Sequence, residues 1–133
     1  MGYKSILLVD DDADDAEIFA SALNAISDKI KCCLENNALT ALNKLKDAKL
    51  SPDIIFLDFH MPYLDGTEFL KLLRGIKELK HVPVVLYSGH SGMVLKEAAG
   101  KFKNVRYLKK HGNFRKIVEL LKGILLHRED LKE

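Results

Sequence analysis

Short apolar runs alternate along this chain with longer stretches in which apolar residues recur every three or four positions. Ile6 to Val9 is an unbroken apolar run and reads as a buried strand. From Asp14 to Ile26, residues Ile18, Phe19, Ala22, Leu23 and Ile26 share one face at helical spacing. Ile30 to Leu34 predicts a second strand, and Ala38 to Ala48 a helix with Leu39, Leu42 and Leu45 inward. Ser51-Pro52 punctuates the chain before a third strand, Asp53 to Leu57, apolar on both faces. A long turn through Met61-Pro62 and Asp65-Gly66 leads to a helix over Glu68 to Ile76, with Gly75 near its end. Val82 to Tyr87 predicts a fourth strand, with Pro83 near its start, where a missing donor is tolerated. Gly92 to Ala99 predicts a short helix and Val105 to Leu108 a fifth strand. Asn113 to Leu126 is a last helix, with Phe114, Ile117, Val118, Leu121, Ile124 and Leu125 inward.

Five strand-then-helix units in a row imply an α/β fold, a parallel sheet with helices on both faces. The first, third and fourth strands are the most apolar and belong in the centre, since parallel strands buried on both sides read as continuous apolar runs. That pattern suits a flavodoxin-like (βα)5 three-layer sandwich with sheet order 2-1-3-4-5. In such sheets the working crevice lies beyond the carboxyl ends of the strands, at the switch point between the first and the third.

The chemistry-bearing residues follow from that location. The first strand runs into Asp10, Asp11 and Asp12, the third into Asp58, the fourth into Ser88, and the fifth into Lys109 and Lys110. Crowded carboxylates are unfavourable unless a cation sits among them. A magnesium ion (Mg2+) takes oxygen ligands and is commonly held by one or two carboxylates plus phosphate oxygens. Acids, a hydroxyl and an ammonium on one rim compose a phosphoryl-transfer site with a carboxylate as nucleophile.

Composition narrows the alternatives. The 133 residues form one domain, expected over 3–128 with a polar tail over 129–133. Net charge is only +2 and the basic residues are spread along the chain, which speaks against direct nucleic-acid binding. Cys32 and Cys33 are adjacent and lack metal-ligand spacing, so one core thiol and one partly exposed thiol are expected. The N-terminal apolar run is too short for a signal peptide. No segment approaches the roughly 20 apolar residues of a membrane span. A cytoplasmic protein without a membrane contact is the expectation.

The pattern resembles the receiver domain of two-component response regulators, over nearly the whole chain. The resemblance is carried by Asp10-Asp11 after an apolar strand and by the LDFHMPYLDG turn around Asp58. Ser88 ending VVLYS and a lysine three residues after the aromatic Tyr107, which selects Lys110, complete it. It implies that Asp58 accepts a phosphoryl group from a sensor histidine kinase or phosphotransfer protein. Asp10, Asp11, Asp58 and the backbone carbonyl of His60 would hold magnesium. Lys110 and Ser88 would contact the phosphoryl group, and Tyr107 would switch inward. The face of the fourth helix, fifth strand and fifth helix would meet a downstream protein target. The implied assembly is a monomer or a phosphorylation-dependent dimer. A receiver of this kind is a signalling phosphoacceptor, catalysing only its own phosphorylation and dephosphorylation.

Two departures from the family pattern stand out. The family usually has a proline in a cis peptide after the lysine. Here His111 follows, and a cis bond before a non-proline residue costs about 2.5–4 kcal/mol. The bond is therefore either trans, with a reshaped loop, or cis under strain, and Lys109 is the fallback for Lys110. Second, His60, His90 and His111 follow three strands and are candidates for one rim. His60 and His90 stand where the family tunes dephosphorylation, and the three together offer an accidental zinc or nickel site. Two rival functions remain open. Asp10-x-Asp12 is similar to the nucleophile motif of haloacid-dehalogenase-type phosphatases, though it leaves LDFHMPYLDG unexplained. A phosphorylation-independent pseudo-receiver, acting only as an interaction module, is the other.

Overall fold

A computed structural model of the chain describes residues 3–89 and 92–126. The expected alternation is present. It runs β1 (Ser5–Val9), α1 (Ala13–Ile26), β2 (Lys31–Glu35), α2 (Ala38–Lys46), β3 (Ile54–Asp58), α3 (Gly66–Arg74), β4 (Val84–Ser88), α4 (Gly92–Ala99), β5 (Val105–Lys109) and α5 (Phe114–Leu126). A 3-10 turn, Lys77–Leu79, precedes β4. All strand pairs are parallel and the sheet order is β2-β1-β3-β4-β5, the expected flavodoxin-like arrangement.

Alternate residues of each strand serve opposite layers, because successive side chains point to opposite faces. Leu7, Val9, Ile55, Leu57, Val84 and Leu86 pack with the buried faces of α2, α3 and α4. Ile6, Leu8, Ile54, Phe56, Val85 and Tyr87 pack with α1 and α5. β3 and β4 are buried at every position, as their double coverage requires, whereas β5 at the sheet edge exposes Arg106, Tyr107 and Lys109.

The helix starts follow from their caps. The Asp12 side chain accepts from Asp15 N at 3.0 Å and opens α1. Asp65 and Glu68 form a reciprocal capping box, which starts α3 at Gly66 rather than at Glu68. Asn113 caps α5 through Lys116 N and stands just before it rather than inside it. Pro83 likewise precedes β4, leaving its carbonyl to accept from Ile55 N at 3.0 Å. Gly66 is required by packing: a Cβ there would meet Phe59 Cδ1 at 2.8 Å and Phe59 Cα at 3.2 Å. That close approach folds the turn after Asp58 back onto the end of β3.

Some inward assignments were displaced by tertiary packing. Ile18, Leu39 and Phe114 are 43%, 48% and 46% exposed, because each lies off the stripe its helix buries. The buried stripes are Ala16, Phe19, Ala22 and Leu23 on α1; Ala38, Ala41, Leu42 and Leu45 on α2; and Ile117, Leu121, Ile124 and Leu125 on α5. Cys32 and Cys33 are both half-buried and unbridged, one against each layer, so the expected division into a core and an exposed thiol does not occur. No helix among the described residues is long and apolar enough to cross a membrane. The expected tail over 129–133 lies outside the described residues.

Candidate functional site

The parallel register brings the strand ends to one level. Val9 pairs with Leu57, Asp58 with Tyr87, and Ser88 with Lys109. Two further backbone bonds extend the ladders: Asp10 N to the Glu35 carbonyl at 3.0 Å, and Lys110 N to the Ser88 carbonyl at 2.8 Å. Asp10, Asp58, Ser88 and Lys110, drawn from four different strand ends, thereby meet at the rim. A cleft of about 530 Å³ there is lined by Asp11, Asp12, Asp15, Asp58, His60, Ser88, Gly89 and Lys110.

Asp10 and Asp58 are 3% and 7% exposed, so both carboxyls are withdrawn from bulk water. Each is oriented by the backbone two residues on: Asp10 Oδ1 accepts from Asp12 N at 3.0 Å, and Asp58 Oδ1 from His60 N at 3.2 Å. Carboxylate oxygens of Asp10, Asp11 and Asp58 lie within 4.8 Å of one another. This all-oxygen donor set, two-thirds buried and one-third open, suits a hard divalent cation. No histidine takes part in such a group among the described residues, and the side chains of His60 and His111 are exposed. His90 lies outside the described residues.

Lys110, not Lys109, supplies the ammonium. Its Nζ stands 2.8 Å from Asp15 Oδ2, 2.9 Å from Asp10 Oδ2 and 3.6 Å from Asp58 Oδ2, and 5.2 Å from the centroid of the Tyr87 ring. Lys109 is exposed, one residue out of phase. Every described peptide bond is trans, including Lys110–His111, so the lysine reaches the acids without the cis turn.

The electrostatics follow from burial among charges. Burial pushes the Asp58 carboxyl up from 3.8 to about 6, with the Lys110 charge opposing and the Asp10 charge assisting. Burial disfavours the Lys110 ammonium, but its hydrogen bonds to Asp15 and Asp10 outweigh this and hold it charged well above its ordinary range. Burial pushes the Tyr87 hydroxyl up to about 12, against the pull of Lys110.

Asp15 and Tyr87 were not among the expected site residues. Asp15 lies in the first turn of α1, where an acid also favours the helix dipole. The signal was present in its position: it is the third residue of α1, and helical Cα–Cβ bonds lean toward the N-terminus, here toward the cleft. Tyr87 read only as the end of an apolar strand. Tyr107 is on β5 and 42% exposed, with its ring outside the cleft.

A profile described as the response regulator receiver domain matches residues 6–122. The chain belongs to that family. This removes the phosphatase reading, whose nucleophile Asp10 has a fully buried side chain beneath Lys110. Receiver domains work in two-component signalling as phosphoacceptors, are generally not enzymes, and bind a divalent metal. The receiver is 27% identical over 132 residues to hybrid signal transduction histidine kinase M of Dictyostelium discoideum, a match covering 93% of this chain and 5% of the kinase. It is 36% identical over 93 residues to the protein-glutamate methylesterase/protein-glutamine glutaminase of Escherichia coli K12, covering 69% of this chain and 25% of that protein. The chain thus spans a small part of the curated relatives it matches. Among solved structures, the Mn2+-bound form of response regulator Rcp1 is 26% identical with a TM-score of 0.76, covering 91% of each chain. The phosphorylated cyanobacterial phytochrome response regulator RcpA superposes with a TM-score of 0.81 over 95% of this chain and 96% of that one. At 24% identity the RcpA likeness speaks for the fold alone.

Proposed function

We propose that this receiver accepts a phosphoryl group onto Asp58 from the phosphohistidine of a sensor histidine kinase or phosphotransfer protein. The observation that carries this reading is a buried carboxyl at the end of β3, 3.6 Å from a lysine ammonium and bordering the cleft. An Asp58 carboxylate oxygen attacks phosphorus in line. The phosphorus–nitrogen bond breaks as the phosphorus–oxygen bond forms, and the imidazole leaves neutral. With its pKa near 6, Asp58 is mostly ionised and nucleophilic at neutral pH.

Asp10, Asp11 and Asp58, with the backbone carbonyl of His60, are the residues that would hold magnesium. Bound there, the ion supplies charge neutralisation of the phosphoryl oxygens. Lys110 pairs with one of those oxygens and the Ser88 hydroxyl donates to another. Tyr107 then turns from its exposed position toward the space behind Ser88, altering the face built from α4, β5 and α5. A downstream protein target reads that face, by the receiver as a monomer or as a phosphorylation-dependent dimer. His60 and His90, two positions past the acceptor and the hydroxyl residue in sequence, set the rate at which water removes the phosphoryl group. The setting is the cytoplasm.

Incubation with acetyl phosphate and magnesium, followed by intact mass measurement, tests the reading. One added phosphoryl group is expected in the native protein and none in Asp58→Asn. A native protein that gains no mass would instead be a phosphorylation-independent interaction module.

A further inference from the structure

We propose that Asp15 is a positioning residue that aims the Lys110 ammonium at the phosphoryl site, an inference that rests on Asp58 being the acceptor. A lysine ammonium has three N–H donors and no acceptor. Two acids stand at hydrogen-bond distance from it, Asp15 Oδ2 at 2.8 Å and Asp10 Oδ2 at 2.9 Å. The acceptor carboxylate is farther, with Asp58 Oδ2 at 3.6 Å. With two protons committed to Asp15 and Asp10, the third is left for the Asp58 side, where phosphoryl oxygens would arrive. The ring of Tyr87, its centroid 5.2 Å from Nζ, stands against the ammonium as well.

The two holding carboxylates are themselves tied together. Asp10 Oδ1 accepts from Asp12 N, and Asp12 Oδ1 accepts from Asp15 N, each at 3.0 Å. The lysine is thus gripped by two acids on one short segment at the start of α1. Asp15 also charges the first turn of α1, where the helix dipole favours an acid, but that role needs no contact with Lys110. It is outside the carboxylate group suited to a metal. Its side chain is 39% exposed, and a pair with one partly exposed member adds little stability by itself. On charge alone it is a liability, since another carboxylate beside the cleft repels the incoming anion. What its 2.8 Å contact with Lys110 can supply to the site is direction.

That reasoning fixes the sign of the test. Beryllofluoride, a phosphoryl mimic, is titrated by fluorine NMR into the whole chain with magnesium present. Magnesium alone is titrated in parallel. Asp15→Ala is expected to weaken beryllofluoride about tenfold, the scale of one charge-assisted hydrogen bond. Magnesium affinity should change less than about twofold, because the three candidate ligands are untouched. Asp15→Glu, which keeps the carboxylate, should recover part of the loss. Unchanged or tighter beryllofluoride binding by Asp15→Ala overturns the proposal, since that is the outcome if Asp15 contributes only negative charge. Should Asp15→Ala fail to fold by circular dichroism, the near-isosteric Asp15→Asn carries the same test with a smaller expected loss. A native protein that binds no beryllofluoride would refute the phosphoacceptor reading, and this proposal with it.

Discussion

The ammonium of Lys110 sits 5.2 Å from the centroid of the Tyr87 ring, so an aromatic core residue forms one wall of the polar cleft. The same ring packs edge-on against Phe19 and Phe56, at centroid distances of 5.6 Å and 6.5 Å. Core packing and lysine placement are therefore linked through one side chain.

Tyr87→Leu should lower stability by roughly 1–3 kcal/mol, through lost edge-to-face contacts and imperfect filling. Tyr87→Phe, which keeps the ring, should stay within about 1 kcal/mol of the native protein. Urea denaturation read by circular dichroism separates them, and equal losses for both would contradict a role for the ring.

Lys110→Met should cost about 2–4 kcal/mol, since it strands the buried Asp10 carboxylate without its cation. Lys109→Met, at an exposed position, should change stability by less than about 0.5 kcal/mol. Thermal melts of the two variants check the assignment directly.

Asp58 makes the stability of the apo protein depend on pH. Burial raises its carboxyl from 3.8 to about 6 on folding. Between those values the folded protein binds more protons than the unfolded chain, so stability falls as pH rises through that window. Asp58→Asn should therefore be more stable than the native protein by about 1–3 kcal/mol near pH 7 without divalent ions, with the gain largely gone near pH 4. Denaturant midpoints at the two pH values, in the presence of a chelator, give the comparison.

Away from the cleft, Arg74 ties the end of α3 to the loops around β4 and β5. Its guanidinium donates to the Leu79 carbonyl at 2.9 Å and the Lys103 carbonyl at 3.0 Å. Arg74→Met should cost about 1–2 kcal/mol by removing its charged hydrogen bonds to those carbonyls. Beryllofluoride affinity should stay native, which distinguishes a structural clamp from a site residue.

Much was legible in the residue pattern alone. Short unbroken apolar runs and amphipathic stretches with a period near 3.6 define the alternating elements locally. Once the elements alternate, a parallel sheet follows, and the residues after each apolar run must gather at one edge. Asp10, Asp58 and Ser88 therefore share one edge on residue pattern alone. What tertiary structure alone decided is which side chain completes the cleft. By apolar pattern Lys109 and Lys110 are equivalent, the family resemblance selecting Lys110 with Lys109 as the fallback, and it is the phase of β5 against β4 that turns Lys110 inward. The pairing of Lys110 with Asp15 joins residues 95 positions apart, and it depends on how α1 docks over the ends of the strands. The same docking turned Ile18 and Phe114 outward, because a helix buries only the stripe its neighbours cover, and periodicity does not say where that stripe is centred.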